Sequence, residues 1–406
     1  MSLAPPPLAL YVHLPWCVRK CPYCDFNSHA VPGRGFPEQA YLAALLEDLQ
    51  FESVRHGDRP LVSIFFGGGT PSLFAGESIR RIVAAARAGF GAVADLEVTL
   101  EANPGTIERG RFADYRAAGV NRVSLGAQSF DDRHLQALGR IHAAADTARA
   151  VEELHAAGLE DFNLDLMYAL PRQTPAESLA YLAQAFALGP THVSHYQLTL
   201  EPGTGFARNP PPLPDEDAAW QMQLEAQAAL AAAGFAQYEV SAYAQAGHQC
   251  RHNVNYWRYG DYVGIGAGAH SKRSDAASGE IWRSERQRHP ARYLDARQPA
   301  DRLAAEFPVL PAERVFEFCL NALRLREGFS AAAFQAATGL PVQALSPGLE
   351  RALARGLIEE CEAGAGWRPT DLGQRFLNEL QALFLPDRAG KPPNAAQRLA
   401  AAQKIS

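Results

Sequence analysis

Six short apolar runs recur through the first two hundred residues: LALYVHL, LVSIFFG, LEVTLEA, NRVSLGAQ, FNLDLMYAL and HVSHYQLTL. Each gives way to Gly, Pro or polar residues and then to a stretch of helical periodicity, the pattern of βα units that build a parallel sheet. Six strands are too few to close an eight-stranded barrel, so the sequence predicts an open, partial barrel whose ligands gather at the carboxyl ends of its strands. With 406 residues, 47% hydrophobic and 20% charged, enough chain is left for a second, smaller domain.

The remainder divides by composition. A Pro-rich passage from Glu201 to Pro214 marks a boundary or a crossing segment, and the helix after it is expected to end at Gly234. The polar, Arg-rich stretch from Ser271 to Pro290 has no clear period and predicts exposed loop, with a local basic patch between Lys272 and Arg288. From Pro311 the pattern fits short helices, a strand GLIEE, a Gly-rich turn and a helix DLGQRFLNELQALF, the outline of a small helical domain with a β-wing. The fold expected is therefore α/β, a partial (βα)6 TIM-like barrel followed by a small winged-helix-like domain. Its boundaries fall at 1–215 for the barrel core, 216–305 for a region completing and connecting it, 306–386 for the C-terminal domain and 387–406 for a flexible tail.

Three of the six cysteines crowd into HLPWCVRKCPYCDFNSH just past the first run. Spaced CxxxCxxC, Cys17, Cys21 and Cys24 can converge on one soft metal centre. A [4Fe–4S] cubane held by three thiolates keeps one iron open to the amino and carboxylate groups of S-adenosylmethionine (SAM), which the cluster can reduce to a 5′-deoxyadenosyl radical. A zinc site with a distant ligand, or an electron-transfer cluster borrowing Cys250, are the alternatives. Cys319 and Cys361 sit in apolar surroundings and read as packing residues.

Further polar signals end successive strands. Gly67, Gly68 and Gly69 with Thr70 offer backbone N–H and C=O groups to an amino acid. Glu101, Gln128 and Asp165 stand where hydroxyls and ring nitrogens need partners, and Arg140 can pair with a carboxylate. Each has a plain alternative as a cap or strand-end hydrogen bond. His142, His195 and His270 read first as helix-start or core residues.

Together CxxxCxxC, GGGTP, LEANP, LGAQSF, LGRIH and DLMYALP make the chain resemble the coproporphyrinogen dehydrogenase branch of the radical SAM proteins, and within it the haem-chaperone members. The resemblance implies a three-cysteine [4Fe–4S] cluster, exchangeable SAM and bound haem. It also implies SAM contacts at Tyr11, Tyr23, Gly68, Gly69, Thr70, Glu101, Gln128, Arg140 and Asp165. HNVNYW fits the HNxxYW pattern linked with haem in those chaperones, giving His252 as ligand, with Tyr256 and Trp257 as flat apolar surface and Cys250 as a lesser alternative ligand. Two departures set the chain apart from the decarboxylating enzymes: Phe26 replaces a further motif cysteine, and only sixteen residues precede Cys17.

The leading expectation is a haem chaperone whose partners are haem, an acceptor protein and an electron donor for the cluster. An oxygen-independent coproporphyrinogen III oxidase is second, and an electron-transfer module third. A net charge of −6 argues against nucleic acid. The absence of a signal-peptide pattern and of an apolar run of about twenty residues predicts a cytoplasmic protein. Peripheral membrane contact and a homodimer are left open.

Overall fold

A computed structural model describes residues 3–33, 35–106, 111–361 and 366–386. The expected tail 387–406 and most of the Gly-rich turn lie outside the described residues. The six apolar runs are six strands: β1 (Leu8–Leu14), β2 (Leu61–Gly68), β3 (Ala92–Ala102), β4 (Arg122–Gln128), β5 (Phe162–Tyr168) and β6 (His192–Gln197). They pair in parallel in sequence order. All seven residues of β1 are buried, as expected for a strand covered on both faces, whereas only the first four residues of β6 are.

The sheet is wider than six strands. It continues through β7 (Ala236–Gln237), β8 (Ala242–Ala244), β9 (Asp261–Ile265), β10 (His270–Asp275), β11 (Glu280–Arg286) and β12 (Leu303–Pro308), in the order β12-β11-β10-β9-β1-β2-β3-β4-β5-β6-β8-β7. β9 is a seventh parallel strand, on the free side of β1. The additions beyond it, and beyond β6, are antiparallel.

β10 and β11 occupy the stretch expected to be exposed loop, and three cations of the expected basic patch are folded inward, whereas Arg273 is half-buried and Arg288 exposed. Lys272 donates to Asp261 at 2.9 Å, Arg283 to Glu317 at 2.9 Å, and Arg286 to Asp48 at 3.0 Å and Glu52 at 2.5 Å. All three cations are buried. Their partners lie up to 238 residues away in sequence. Buried charge is tolerable only when so paired, and no local pattern announces partners that remote.

The passage Glu201–Pro214, expected to be a boundary or a crossing segment, packs against the cysteine loop. The Phe206 N–H donates to Pro22 O at 2.9 Å, and the Phe206 ring meets Tyr23, so the segment braces the cysteine loop. The C-terminal part holds helices Pro311–Ala322, Ala331–Thr338 and Ser346–Ala354 and a three-stranded sheet in which Gly366–Pro369 lies between Phe329–Ser330 and Ile358–Glu360. The last helix is broken at Phe376 into Asp371–Arg375 and Leu377–Ala382. Tyr259 and Ile281 share a hydrophobic core with this part, so it packs on the barrel without a gap.

Candidate functional site

One cavity of about 380 Å³ opens at the carboxyl ends of the parallel strands. It is lined by Cys17, Cys21 and Cys24 and by all nine residues expected to contact SAM: Tyr11, Tyr23, Gly68, Gly69, Thr70, Glu101, Gln128, Arg140 and Asp165. Strand geometry explains the convergence. Alternation along β1 puts Tyr11 and His13 on one inward face, and the same alternation brings Ser124, Gly126 and Gln128 inward on β4 and Asp165 and Met167 inward on β5.

The three cysteines are free thiols, each half-buried. Burial holds the Cys17 and Cys24 thiols above their usual range, against hydrogen bonds that pull the other way. Among the described residues no three His, Cys, Asp or Glu side chains gather tightly enough to hold one metal ion together. A cubane does not ask for that, because each thiolate binds a different iron.

Arg140 reaches Cys21 Sγ with one terminal nitrogen at 3.8 Å and donates to Gly126 O with the other at 2.8 Å, while its buried Nε has no partner. Glu101 and Asp165 form no ion pair among the described residues. Burial, then the charge of Asp165, pushes the Glu101 carboxyl up to about 8 despite the N–H of Gly68 at 3.1 Å. Burial also raises Asp165. A cavity with two such carboxyls and an under-used guanidinium suits a zwitterionic, hydroxylated ligand carrying extra positive charge. SAM, with its ammonium, carboxylate, sulfonium and ribose, has that chemistry, and the residues present fit both it and a three-thiolate cluster.

For its N–H groups, though not for its C=O groups, the glycine strip departs from expectation. Gly68 N–H is bonded to Glu101, Gly69 N–H to Leu14 O at 2.8 Å and Thr70 N–H to Trp16 O at 2.8 Å, so no N–H of the three is left for a ligand. What the strip contributes is room: a Cβ on Gly68, at φ 114°, would lie 2.5 Å from the His13 ring, and one on Gly69 would lie 2.6 Å from Trp16 O. Gln128 takes a positive φ of 66° at a break in the β4–β5 register, a strained conformation of the kind found at ligand sites.

Beneath the cavity a polar ladder runs down the barrel. Ser124 donates to Asp165 at 3.0 Å, and the Asn163 amide nitrogen donates to Ser124 at 2.7 Å and to Asp165 at 2.8 Å. That leaves the Asn163 carbonyl to accept from His192 Nδ1 at 2.6 Å, so His192 Nε2 must accept from the Tyr238 hydroxyl at 2.8 Å. His13, Asn163 and His192 were missed in the sequence. The available signal was a polar residue at an alternate, inward position of an otherwise apolar strand.

His252, Tyr256 and Trp257 do not reach the cavity. They lie in the helix Arg251–Trp257 and are 4%, 8% and 4% exposed. His252 Nδ1 is 3.1 Å from Ser63 Oγ, and its ring packs 5.0 Å from Phe65 and 6.2 Å from Tyr11. The flat surfaces expected for a macrocycle are taken: the Arg324 guanidinium lies 4.2 Å from the Trp257 ring centre, and Tyr262 packs 4.9 Å from Tyr256. Cys250 is buried beside Glu97, its thiol pushed up to about 12 by burial. Cys319 is buried as expected and Cys361 half-buried. His195, stacked on Tyr168 at 4.6 Å and bonded to the Tyr181 hydroxyl at 2.7 Å, is a core residue, and His142 is held by Ala127 O at 3.1 Å.

Residues 11–183 match the radical SAM superfamily, and residues 309–376 match the HemN C-terminal domain. The heme chaperone HemW of Escherichia coli K12 is 47% identical over 94% of this chain and 99% of its own length, and that of Haemophilus influenzae is 48% identical over the same shares. The chain belongs to the HemW family of radical SAM proteins. HemW membership agrees with the fold of a solved structure, the coproporphyrinogen III oxidase HemN of Escherichia coli, described as a radical SAM enzyme. It superposes with a TM-score of 0.78 at 22% identity, covering 94% of this chain and 90% of that one. The radical SAM assignment of this HemW relative implies a [4Fe–4S] cluster and SAM. No helix among its described residues is long and apolar enough to cross a membrane.

Proposed function

We propose that this chain is a haem chaperone: it binds haem and passes it to an acceptor protein, with a [4Fe–4S] cluster and SAM controlling assembly or release. The observation that carries the reading is near-full-length identity to proteins bearing that name. The cavity supports its cofactor half. Cys17, Cys21 and Cys24 would hold the cluster, and the nine remaining expected residues would hold SAM beside it. When bound, the cluster supplies one-electron reduction of SAM.

The chain's own groups have separable tasks. Arg140, tied to Cys21 and Gly126, would fix the SAM carboxylate next to the cysteine loop. Glu101 and Asp165 would accept from its cationic and hydroxyl groups, Glu101 giving up a proton as it does so. Phe206 and Pro22 brace the loop against displacement. His252, with Tyr256 and Trp257, is the haem ligand proposed from the motif. Haem can reach it only if the helix Arg251–Trp257 leaves β2, breaking the Ser63 bond and the contacts with Phe65 and Tyr11.

The test is one anaerobically reconstituted sample, titrated with haemin and incubated with reductant, SAM and coproporphyrinogen III. A saturable Soret band without protoporphyrinogen is expected. Product formation that disappears in Cys21→Ala would replace the chaperone with an oxidase.

A further inference from the structure

SAM and haem would occupy different parts of the barrel, the cavity and the helix Arg251–Trp257, and one side chain belongs to both. Of the rings that line the cavity, Tyr11 alone among the described residues also packs on His252, at 6.2 Å between ring centres. Phe65 backs it, stacked 6.2 Å from Tyr11 and 5.0 Å from His252, so the three rings form one wall between the cavity and the helix.

His13 fixes where that wall stands. Its Nε2 lies 2.9 Å from Asn27 O, a carbonyl that can only accept, so Nε2 carries the hydrogen. Burial pushes the His13 ring down to about 4, which keeps it neutral at pH 7 and leaves the lone pair on Nδ1. The Tyr11 hydroxyl, 3.1 Å away, must therefore donate to Nδ1. Asn27 follows the cysteine loop and is itself held by Ala267 O and Arg288 O, both at 2.9 Å. Tyr11 is thus tied by its tip to the end of that loop and rests by its face on the haem-motif helix.

The glycine strip keeps the place open. A Cβ on Gly67 would lie 3.1 Å from the Tyr11 ring and 3.0 Å from the Phe65 ring, and one on Gly68 would fall on the His13 ring. A wall so placed responds to both of its sides. For haem to reach His252 the helix must leave β2, and the Tyr11 ring then loses its backing and tilts into the space behind it. The cavity changes shape with the ring. SAM, resting on the other face, therefore binds the packed-down helix better than the displaced one, and a ligand shifts an equilibrium by that difference in affinity.

We propose that SAM and haem oppose each other through Tyr11, with His13 as the residue that positions it: SAM in the cavity returns the helix to β2 and takes His252 away from haem. The inference rests on the chaperone reading and gives SAM the releasing half of the control. The experiment is haemin titration of the reconstituted full chain with and without saturating SAM, at matched iron and sulfide content. SAM should weaken haemin binding at least about fivefold, and haemin should weaken SAM binding by the same factor, because coupling is reciprocal. Tyr11→Phe keeps the ring and cuts the tie, so the ring has no fixed place in either state and the factor should fall to about one. His13→Gln offers an amide N–H to Asn27 O and an amide oxygen to the Tyr11 hydroxyl, and should retain the factor. A folding defect would weaken each ligand alone without changing the ratio. Haemin affinity that SAM leaves unchanged or strengthens in the wild type, or a factor that survives Tyr11→Phe or is lost in His13→Gln, would overturn the coupling and leave the chaperone reading standing. A wild type that binds no haemin would overturn both.

Discussion

The cavity and the helix Arg251–Trp257 were equally conspicuous as sequence motifs, yet the structure treats them in opposite ways. In the cavity, polar groups are gathered and left under-used: among the described residues Arg140 Nε has no partner, and Glu101, held near 8, forms no ion pair. In the helix, most polar groups and ring faces are already spoken for. His252 has Ser63, the His252 N–H has Glu97 at 3.1 Å, the Asn255 amide has Asp261 O at 3.0 Å and Trp257 has Arg324; the buried indole N–H of Trp257 is the exception. A motif whose groups are spent inside the fold acts as a support in this conformation, whereas one whose groups are unspent is waiting for something.

Four measurements can break or sharpen that contrast. The largest effect belongs to the cysteines. Cys21→Ala should reduce iron and acid-labile sulfide to background with the far-ultraviolet circular dichroism unchanged, and stoichiometric zinc in the wild type would remove the cluster altogether. Next comes the helix: His252→Ala should cost about 3 kcal/mol of stability in denaturant unfolding, from the lost ring and the orphaned Ser63. A variant as stable as wild type would show that the helix is not a support after all.

Third, Glu101→Gln should weaken SAM binding by roughly ten- to a hundredfold in equilibrium dialysis, the cost of losing a charge-assisted acceptor. The pH dependence has a definite sign. Below about 8 Glu101 carries a proton that a cationic ligand expels, so SAM affinity should rise by up to about tenfold per unit as pH climbs toward 8. Glu101→Gln should flatten that slope. In the unloaded protein the unfolded chain loses this proton first, from its ordinary 4.5, so folding stability should fall as pH rises from 4.5 to about 8. The smallest effect is Arg324→Gln, which uncovers Trp257 and frees Glu239, 3.0 Å away. It should cost about 1 kcal/mol with haemin and SAM binding unaltered.

The parallel core was legible because its strands are buried on both faces and announce themselves as apolar runs; LALYVHL is β1 to the residue. β10 and β11 were not, since Lys272, Arg283 and Arg286 read as solvent-seeking until Asp261, Glu317, Asp48 and Glu52 are brought to them by the fold. The three cysteines and the strand-end residues were legible because spacing and strand position converge there. The N–H groups of the glycine strip misled, because their partners, the carbonyls of Leu14 and Trp16, depend on how β1 ends.

The ladder from Asp165 to Tyr238 has one further implication. Each of its members has a single sense of donation, set by the Asn163 amide, so every proton along it points the way its neighbour dictates. Because an amide oxygen can only accept, the phenol hydrogen at the other end keeps its direction whatever the state of the carboxyl at the mouth, and that phenol belongs to the same aromatic cluster as Tyr256 and Trp257. The barrel's interior is thus a fixed line of protons as much as a packed core, running from the cysteine-lined mouth to the aromatic cluster that holds the helix Arg251–Trp257.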